Sequence, residues 1–318
     1  MSKISKTNRL IYGAMGLGGG WNRNPIEEKH IKDAEEAIEA ALLIGIYRFD
    51  HANIYQLGKS EEVFGHYLKR HQNKREELYI QSKVGIQLAT EQRKGQYNFS
   101  YEHIMDEVTG SLNRLQTTYL DCLILHRPDP LMDGKELKKA IDNLFSSEMV
   151  RQIGVSNMSY HQMKLIEMYI ERPLVANQLE MSLSKLDWID ATVTFNHSDY
   201  PMTDFPIGTI EYAMGNNIEI QAWGALAQGI YTGRILEEGT PEPVFKTKEL
   251  VNQIASDKGI TPEAIVLAWL MRHPGNISPI IGSKNPDRIR ACKDAINVQL
   301  SRDEWYELFI TSRGKNLP

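Results

Sequence analysis

Short apolar runs alternate with amphipathic stretches from one end of the chain to the other. Runs at 10–17, 47–50, 78–83, 120–126, 152–156, 174–179, 218–223 and 277–281 predict eight strands. Most are apolar throughout rather than strictly alternating, the pattern of strands covered by protein on both faces. Between them, apolar positions recur at helical spacing. Ile31, Ala34, Ile38, Ala41 and Leu42 form one stripe, Ile104, Val108, Leu112 and Leu115 a second, and Leu137, Ile141 and Leu144 a third. Ser100 and Thr261 are predicted N-caps. Pro262 suits the first helical position after Thr261, where a missing N–H costs nothing. Strand–helix alternation repeated eight times predicts an α/β fold, a (β/α)₈ TIM barrel, as a single domain over residues 1–318.

The rival architecture is a doubly wound sheet, and its nucleotide signatures fail. Gly16-Leu17-Gly18-Gly19-Gly20-Trp21 lacks the last glycine of the dinucleotide fingerprint. Gly58-Lys59-Ser60 resembles the tail of a phosphate loop, but Asn53 stands where its first glycine belongs. The longest stretch without a clear pattern, 187–206, contains His197, Tyr200 and Pro201 and is expected to be a loop over the C-terminal mouth of the barrel.

Composition narrows the partners. A hydrophobic share of 42% and a charged share of 24% are ordinary for a soluble enzyme. A net charge of -5 gives no reason to expect nucleic acid or an anionic membrane. No apolar run approaches the roughly 20 residues that span a bilayer. The segment 1–6 lacks the apolar core of a secretory signal, so the expected location is cytoplasmic. The Asn-x-Ser triplets at Asn98, Asn157 and Asn196 then read as chance matches. Neither Cys122 nor Cys292 belongs to a C-x-x-C pair, which argues against a disulfide framework or zinc site. Oligomeric state is not legible in the pattern.

The chemistry sits at strand ends. Arg48-Phe49-Asp50-His51-Ala52-Asn53-Ile54-Tyr55 sets a carboxylate and a phenol five residues apart where the second strand runs out. The third strand ends on Lys83 and the fourth on His126. Together these four could build a proton-donating tyrosine. The lysine charge favours the phenolate and is expected to pull the Tyr55 pKa down from about 10. Asp50 keeps the lysine charged, and His126 can orient a substrate carbonyl. A metal-dependent hydrolase or aldolase would need clustered His and carboxylate ligands, whereas His126 alone closes a predicted strand, so no metal is expected.

These motifs resemble those of the aldo-keto reductases, and within them the YdhF-like bacterial oxidoreductases. The resemblance runs over roughly 9–295 and rests on Asp50…Tyr55…Gly58…Glu61, Ser82-Lys83, Leu125-His126, Gly154-Val155-Ser156-Asn157 and Asn177-Gln178-Leu179-Glu180. His126-Arg127-Pro128-Asp129-Pro130 points to the bacterial branch. The resemblance implies NADP(H) as cofactor and a small-molecule carbonyl or alcohol as substrate. It makes Tyr55 the general acid, tuned by Lys83 and Asp50, with His126 on the carbonyl.

For the cofactor, the resemblance assigns Ser156, Asn157 and Gln178 to the nicotinamide carboxamide and Trp223 to its ring face. Gly224-Ala225-Leu226-Ala227-Gln228-Gly229 aligns with the pyrophosphate loop, with Gly224 and Ala225 replacing the usual Ser-Pro; the expected contacts come from Gly224, Leu226 and Gly229. Ser283 and Arg288 match the spacing of the 2′-phosphate site. Gly282 replaces its lysine and Lys284 stands next along. Ala291 and Cys292 occupy the positions of the usual adenine-binding pair, so adenine contacts are expected to be weaker or moved. A nicotinamide-binding regulatory subunit with vestigial activity is the alternative function for such a barrel. Substrate choice falls to the loops near Trp21, at 85–97 and at 187–206.

Overall fold

The computed structural model describes residues 8–198 and 204–318. Among these lie the strands β1 (Ile11–Gly13), β2 (Arg48–Asp50), β3 (Tyr79–Val84), β4 (Ile86–Gln87), β5 (Gln96–Tyr97), β6 (Cys122–Leu125), β7 (Ile153–Ser156), β8 (Ala176–Glu180), β9 (Glu219–Trp223) and β10 (Ile277–Ile281). All eight predicted strands are present. They close into a barrel in the order β1-β10-β9-β8-β7-β6-β3-β2. The registers of β1 with β2, β2 with β3, β3 with β6, β6 with β7 and β9 with β10 are all parallel. The fold is the expected (β/α)₈ barrel.

Two strand details differ from the apolar pattern. β1 stops at Gly13 and gives way to a 3₁₀ turn, Ala14–Gly16. Beyond it Gly18, Gly19 and Gly20 have φ of 99°, 88° and 120°, which no extended strand accommodates. β4 and β5 form an antiparallel hairpin inside 85–97, a stretch too short and too polar to register as strands.

The helices are α1 (Glu28–Leu43), α2 (Lys59–Arg70), α3 (Tyr101–Leu115), α4 (Gly134–Ser146), α5 (Tyr160–Ile170), α6 (Asp187–Val193), α7 (Thr209–Gly215), α8 (Glu242–Lys258), α9 (Pro262–Arg272), α10 (Pro286–Arg290) and α11 (Arg302–Arg313). The predicted stripes face inward: Ile104, Val108, Leu112 and Leu115 are buried on α3, and Leu137, Ile141 and Leu144 on α4. Ser100 caps α3 by accepting from the His103 N–H, and Thr261 caps α9 by accepting from Ala264. Within 187–206, the start is helical rather than loop. α6 buries Trp188, Ile189 and Ala191, a face too short to stand out as periodic. Tyr200 and Pro201 lie outside the described residues, as does the segment 1–6.

Chain contacts group the described residues into two compact units. The first comprises 11–177 and 282–289. Here α2 and α3 approach closely: a Cβ on Gly65 would lie 2.0 Å from the Arg114 carbonyl oxygen, so only glycine fits. Arg114 Nε donates to the fully buried Glu61 carboxylate at 2.8 Å, and Ser82 Oγ donates to its other oxygen. The second unit comprises 8–10, 178–281 and 290–318. Trp269 and Trp305 stack there at 5.5 Å, and each indole N–H donates to the other's backbone carbonyl. Such reciprocal pairing satisfies the polar tips of both rings, of which Trp269 is fully buried. Among the described residues no helix is long and apolar enough to cross a membrane.

Candidate active site

Asp50 is the last residue of β2 and lies opposite Gln81 of β3. Gln81 Nε2 donates to Asp50 Oδ1 at 2.7 Å. Lys83, on the same strand as Gln81, donates to Asp50 Oδ2 at 2.6 Å, to the His51 carbonyl at 2.9 Å and to Tyr55 Oη at 2.9 Å. An ammonium has three N–H groups, and all three are used. Asp50 is 2% exposed and Lys83 1% exposed, so the ion pair is withdrawn from water. A buried pair survives only when its remaining polar groups are satisfied, as they are here.

The electrostatics follow from that burial. Burial alone would lower the Lys83 pKa, but Asp50 and then Tyr55 more than offset it, and the pKa lies above its ordinary value. Tyr55 corrects the expectation stated above. Burial raises its pKa and outweighs the opposing pull of Lys83, while Asp50 adds to the rise. The phenol is therefore held protonated, a form that can donate, with the Lys83 cation beside it.

His126 directly follows β6, its backbone N–H donating to the Val84 carbonyl at 2.9 Å. Its ring meets Tyr55 edge-on, with centroids 6.1 Å apart and planes at 81°. Burial, then the charges of Lys83 and Arg127, push its pKa down to about 2. The imidazole is neutral, and its buried Nδ1 has no partner among the described residues. It is suited to a hydrogen bond and not to carrying charge.

Sequence reasoning does not anticipate how Tyr55 is mounted. The 3₁₀ turn Tyr55–Gly58 contains Gln56 and Leu57 at φ 51° and 62°, before Gly58 at 90°. Only the glycine signals this left-handed run. Asn53, between Asp50 and Tyr55, donates its side-chain N–H to Glu107 of α3 at 2.7 Å. Its backbone N–H donates to the Lys83 carbonyl at 3.1 Å. Neither Gln81 nor Glu107 carries a readable spacing signal, because each contributes from a different strand or helix.

The expected cofactor residues lie on or after strands in their respective units. In the first unit, Ser156 ends β7, and Asn157 follows in the left-handed region at φ 57° and donates to Ser156 Oγ at 2.7 Å. Ser283 accepts from the Tyr12 hydroxyl through its carbonyl and from the Asn285 N–H through Oγ. Asn285 in turn accepts from the N–H groups of Asp287 and Arg288. Lys284 reaches a cavity of about 230 Å³ lined also by the glycine run after β1 and by Lys29 and His30. Arg288 is exposed on α10.

In the second unit, Gln178 is buried in the middle of β8 rather than at its end, because the strand continues to Glu180. Its Nε2 donates to Gln221 Oε1 at 2.8 Å. Trp223 ends β9. Two tight turns follow, closed by Ala227 N–H to the Gly224 carbonyl and Gly229 N–H to the Leu226 carbonyl, each at 2.8 Å. Gly224 and Gly229 have φ of 69° and 79°, conformations that leave backbone amides uncovered by side chains.

Comparison with known proteins bears on the family and the fold. The chain is 32% identical over 326 aligned positions to a 6-dehydroglucose reductase of Agrobacterium fabrum, covering 100% of this chain and 98% of the relative. It is 31% identical to the oxidoreductase YdhF of Escherichia coli, covering 88% of each. In fold it is similar to the glycerol dehydrogenase AKR11B4 of Gluconobacter oxydans, with a TM-score of 0.78 at 22% identity over 100% of this chain and 97% of that one. An aldo/keto reductase from Klebsiella pneumoniae, solved with NADP and acetate, gives a TM-score of 0.70 at 22% identity over 94% of this chain and 89% of that one. The aldo/keto reductase family profile matches residues 9–310. With that match over nearly its whole length, the chain belongs to the aldo/keto reductase family.

Proposed function

We propose that this protein is an NADP(H)-dependent oxidoreductase that interconverts an aldehyde or ketone and its alcohol. The single observation that carries the reading is the Asp50–Lys83–Tyr55 chain, in which one buried ammonium contacts both a carboxylate and a phenol. Reduced nicotinamide, when bound, supplies the hydride that reaches the carbonyl carbon. Negative charge then builds on the carbonyl oxygen, and Tyr55 Oη gives up its proton there. Lys83 stabilises the phenolate left behind. Asp50 holds Lys83 charged and aimed, and Gln81 fixes the other carboxylate oxygen. His126, held neutral, hydrogen-bonds the same carbonyl oxygen and orients it. A positioned proton donor of this kind contributes about 10²–10⁴ in rate, and preorganised donors at the developing charge add to it.

The cofactor roles rest on the chemistry of the donors. Ser156 and Asn157 offer a hydroxyl and an amide suited to a planar carboxamide, and Gln178 a second amide. Trp223 offers a broad aromatic face for the nicotinamide ring. Gly224, Leu226 and Gly229 belong to turns whose backbone amides suit pyrophosphate, and Ser283, Lys284 and Arg288 supply a hydroxyl and two cations for the 2′-phosphate. The bound NADP of the Klebsiella relative supports this choice. We also infer a cytoplasmic location, supported by two buried cysteines, Cys122 and Cys292, that are not joined in a disulfide.

The test is consumption of NADPH by purified protein with a panel of aldehydes and ketones. The Agrobacterium relative makes an oxidised sugar the first member of that panel. Turnover with none of them, alongside tight NADPH binding, would favour the regulatory-subunit alternative.

A further inference from the structure

Gln56 follows the donor tyrosine and has no part in the chemistry above. Its side chain is buried, and its backbone adopts a left-handed conformation that L-residues rarely take. Both ends of its amide are engaged. Nε2 donates to the Met15 carbonyl at 3.0 Å, and Oε1 accepts from the Gly20 N–H. These two partners bracket the glycine run that follows β1.

The same corner of the fold reaches that run once more and also the residues just beyond it. The buried Ser60 hydroxyl lies 2.8 Å from the carbonyl oxygens of both Ala14 and Leu17. Lys59, also buried, directs its ammonium to Asn22 Oδ1 at 3.1 Å and to the Asn24 carbonyl at 3.4 Å. The glycines cannot anchor themselves with side chains, and at Gly18 and Gly19 there is no room for one. A Cβ on Gly18 would lie 2.8 Å from Lys59, and one on Gly19 would lie 2.5 Å from the His30 ring. The path of this segment must therefore be set from outside, by groups that meet its backbone. Gln56 is the one of these joined through a peptide bond to Tyr55. Beyond the clamp the chain presents Trp21, 53% exposed.

We propose that Gln56 is a positioning residue for carbonyl reduction, fixing the glycine run 16–20 in register with the turn that carries the Tyr55 phenol. The role rests on the reductase reading given above. It requires an amide, because Met15 needs a donor and Gly20 an acceptor. A hydrocarbon of the same length supplies neither, and a carboxylate supplies only the acceptor.

Three variants test it: Gln56→Met, Gln56→Glu and Gln56→Gly. The glycine variant relieves the left-handed backbone while removing the amide, which separates folding from positioning. Each is measured for kcat and KM with small and bulky aldehydes, NADPH affinity, thermal unfolding and amide hydrogen exchange in 16–24. Expected are a kcat at least tenfold lower in all three, a changed ranking of small against bulky aldehydes, NADPH affinity within twofold, faster exchange in 16–24, and unfolding of Gln56→Gly no earlier than wild type. Wild-type kcat and aldehyde ranking in Gln56→Met would overturn the proposal. So would a kcat loss confined to thermally weakened variants and absent from Gln56→Gly. Hydrogen exchange is independent of turnover. An inactive wild type sinks the reductase reading, whereas unchanged exchange of 16–24 in Gln56→Met sinks the clamp.

Discussion

The Lys83 ammonium lies 2.9 Å from the Tyr55 hydroxyl and 4.7 Å from the centre of the same ring. One charge therefore faces both the oxygen that would lose a proton in the proposed reduction and the π system that would share the resulting negative charge. In a site shielded from water such a contact is worth far more than on a surface. It stabilises the phenolate without first lowering the population of phenol, because burial holds the resting group protonated.

Tyr55→Phe is expected to fold as the wild type does and to bind NADPH with similar affinity, while carbonyl reduction falls by about 10²-fold or more. The ring and its edge-on contact with His126 remain, and only the hydroxyl is deleted. Undiminished turnover of a good aldehyde substrate would remove Tyr55 from the acid role.

Lys83→Met is expected to damage stability and chemistry together. It strands the Asp50 carboxylate, leaving Gln81 as its one remaining side-chain donor among the hydrogen bonds described above. Breaking a buried pair from one side costs roughly 3–5 kcal/mol. Thermal unfolding and single-turnover rates should both move. A variant that retained wild-type values of each would place Lys83 outside the site.

The barrel was legible in the sequence because its strands are buried on both faces and so read as uninterrupted apolar runs. Asp50, Lys83 and His126 were legible for a related reason: each stands within one residue of a strand end, where composition changes abruptly, and Tyr55 follows five residues after Asp50. What the pattern could not carry is pairing across elements. Gln81 reads as one polar residue in an apolar strand, and only the register of β2 on β3 sets it against Asp50. The left-handed Gln56 and Leu57 defeat local propensity, which assigns such φ to glycine or asparagine. The direction of the Tyr55 pKa is not legible because a neighbouring cation is visible in sequence and the depth of burial is not.

Cofactor choice gives a third expectation. Ser283, Lys284 and Arg288 bring a hydroxyl and two positive charges to the segment after β10. NADH lacks the 2′-phosphate they would hold and should bind at least roughly tenfold more weakly than NADPH. Arg288→Ala should raise the dissociation constant for NADPH and leave that for NADH almost unchanged. Titration of each cofactor by tryptophan fluorescence reads both, and equal wild-type affinities would refute the assignment.

The last expectation concerns acid. The His51 ring is wholly buried, packs edge-on against Phe64 at 4.5 Å, and has no hydrogen-bond partner for either nitrogen among the described residues. Its functional contacts are made by its backbone, which accepts from Lys83 and donates to the Gln81 carbonyl. Burial, then the Lys83 charge, pushes the ring's pKa from 6.5 down to about 3. Between those values the unfolded chain binds a proton that the folded chain refuses. Stability from this residue is therefore fully present above pH 6.5 and is lost as pH falls toward 3. Between pH 7 and 5 the loss amounts to about 2 kcal/mol by linkage. His51→Phe keeps the backbone contacts and the aromatic packing while removing the titration. Replacing an unpaired buried polar ring by an apolar one is neutral or stabilising at pH 7. Urea unfolding at the two pH values should show a smaller acid penalty in the variant by about that amount. An identical pH dependence in both proteins would mean that His51 takes up its proton without unfolding the chain.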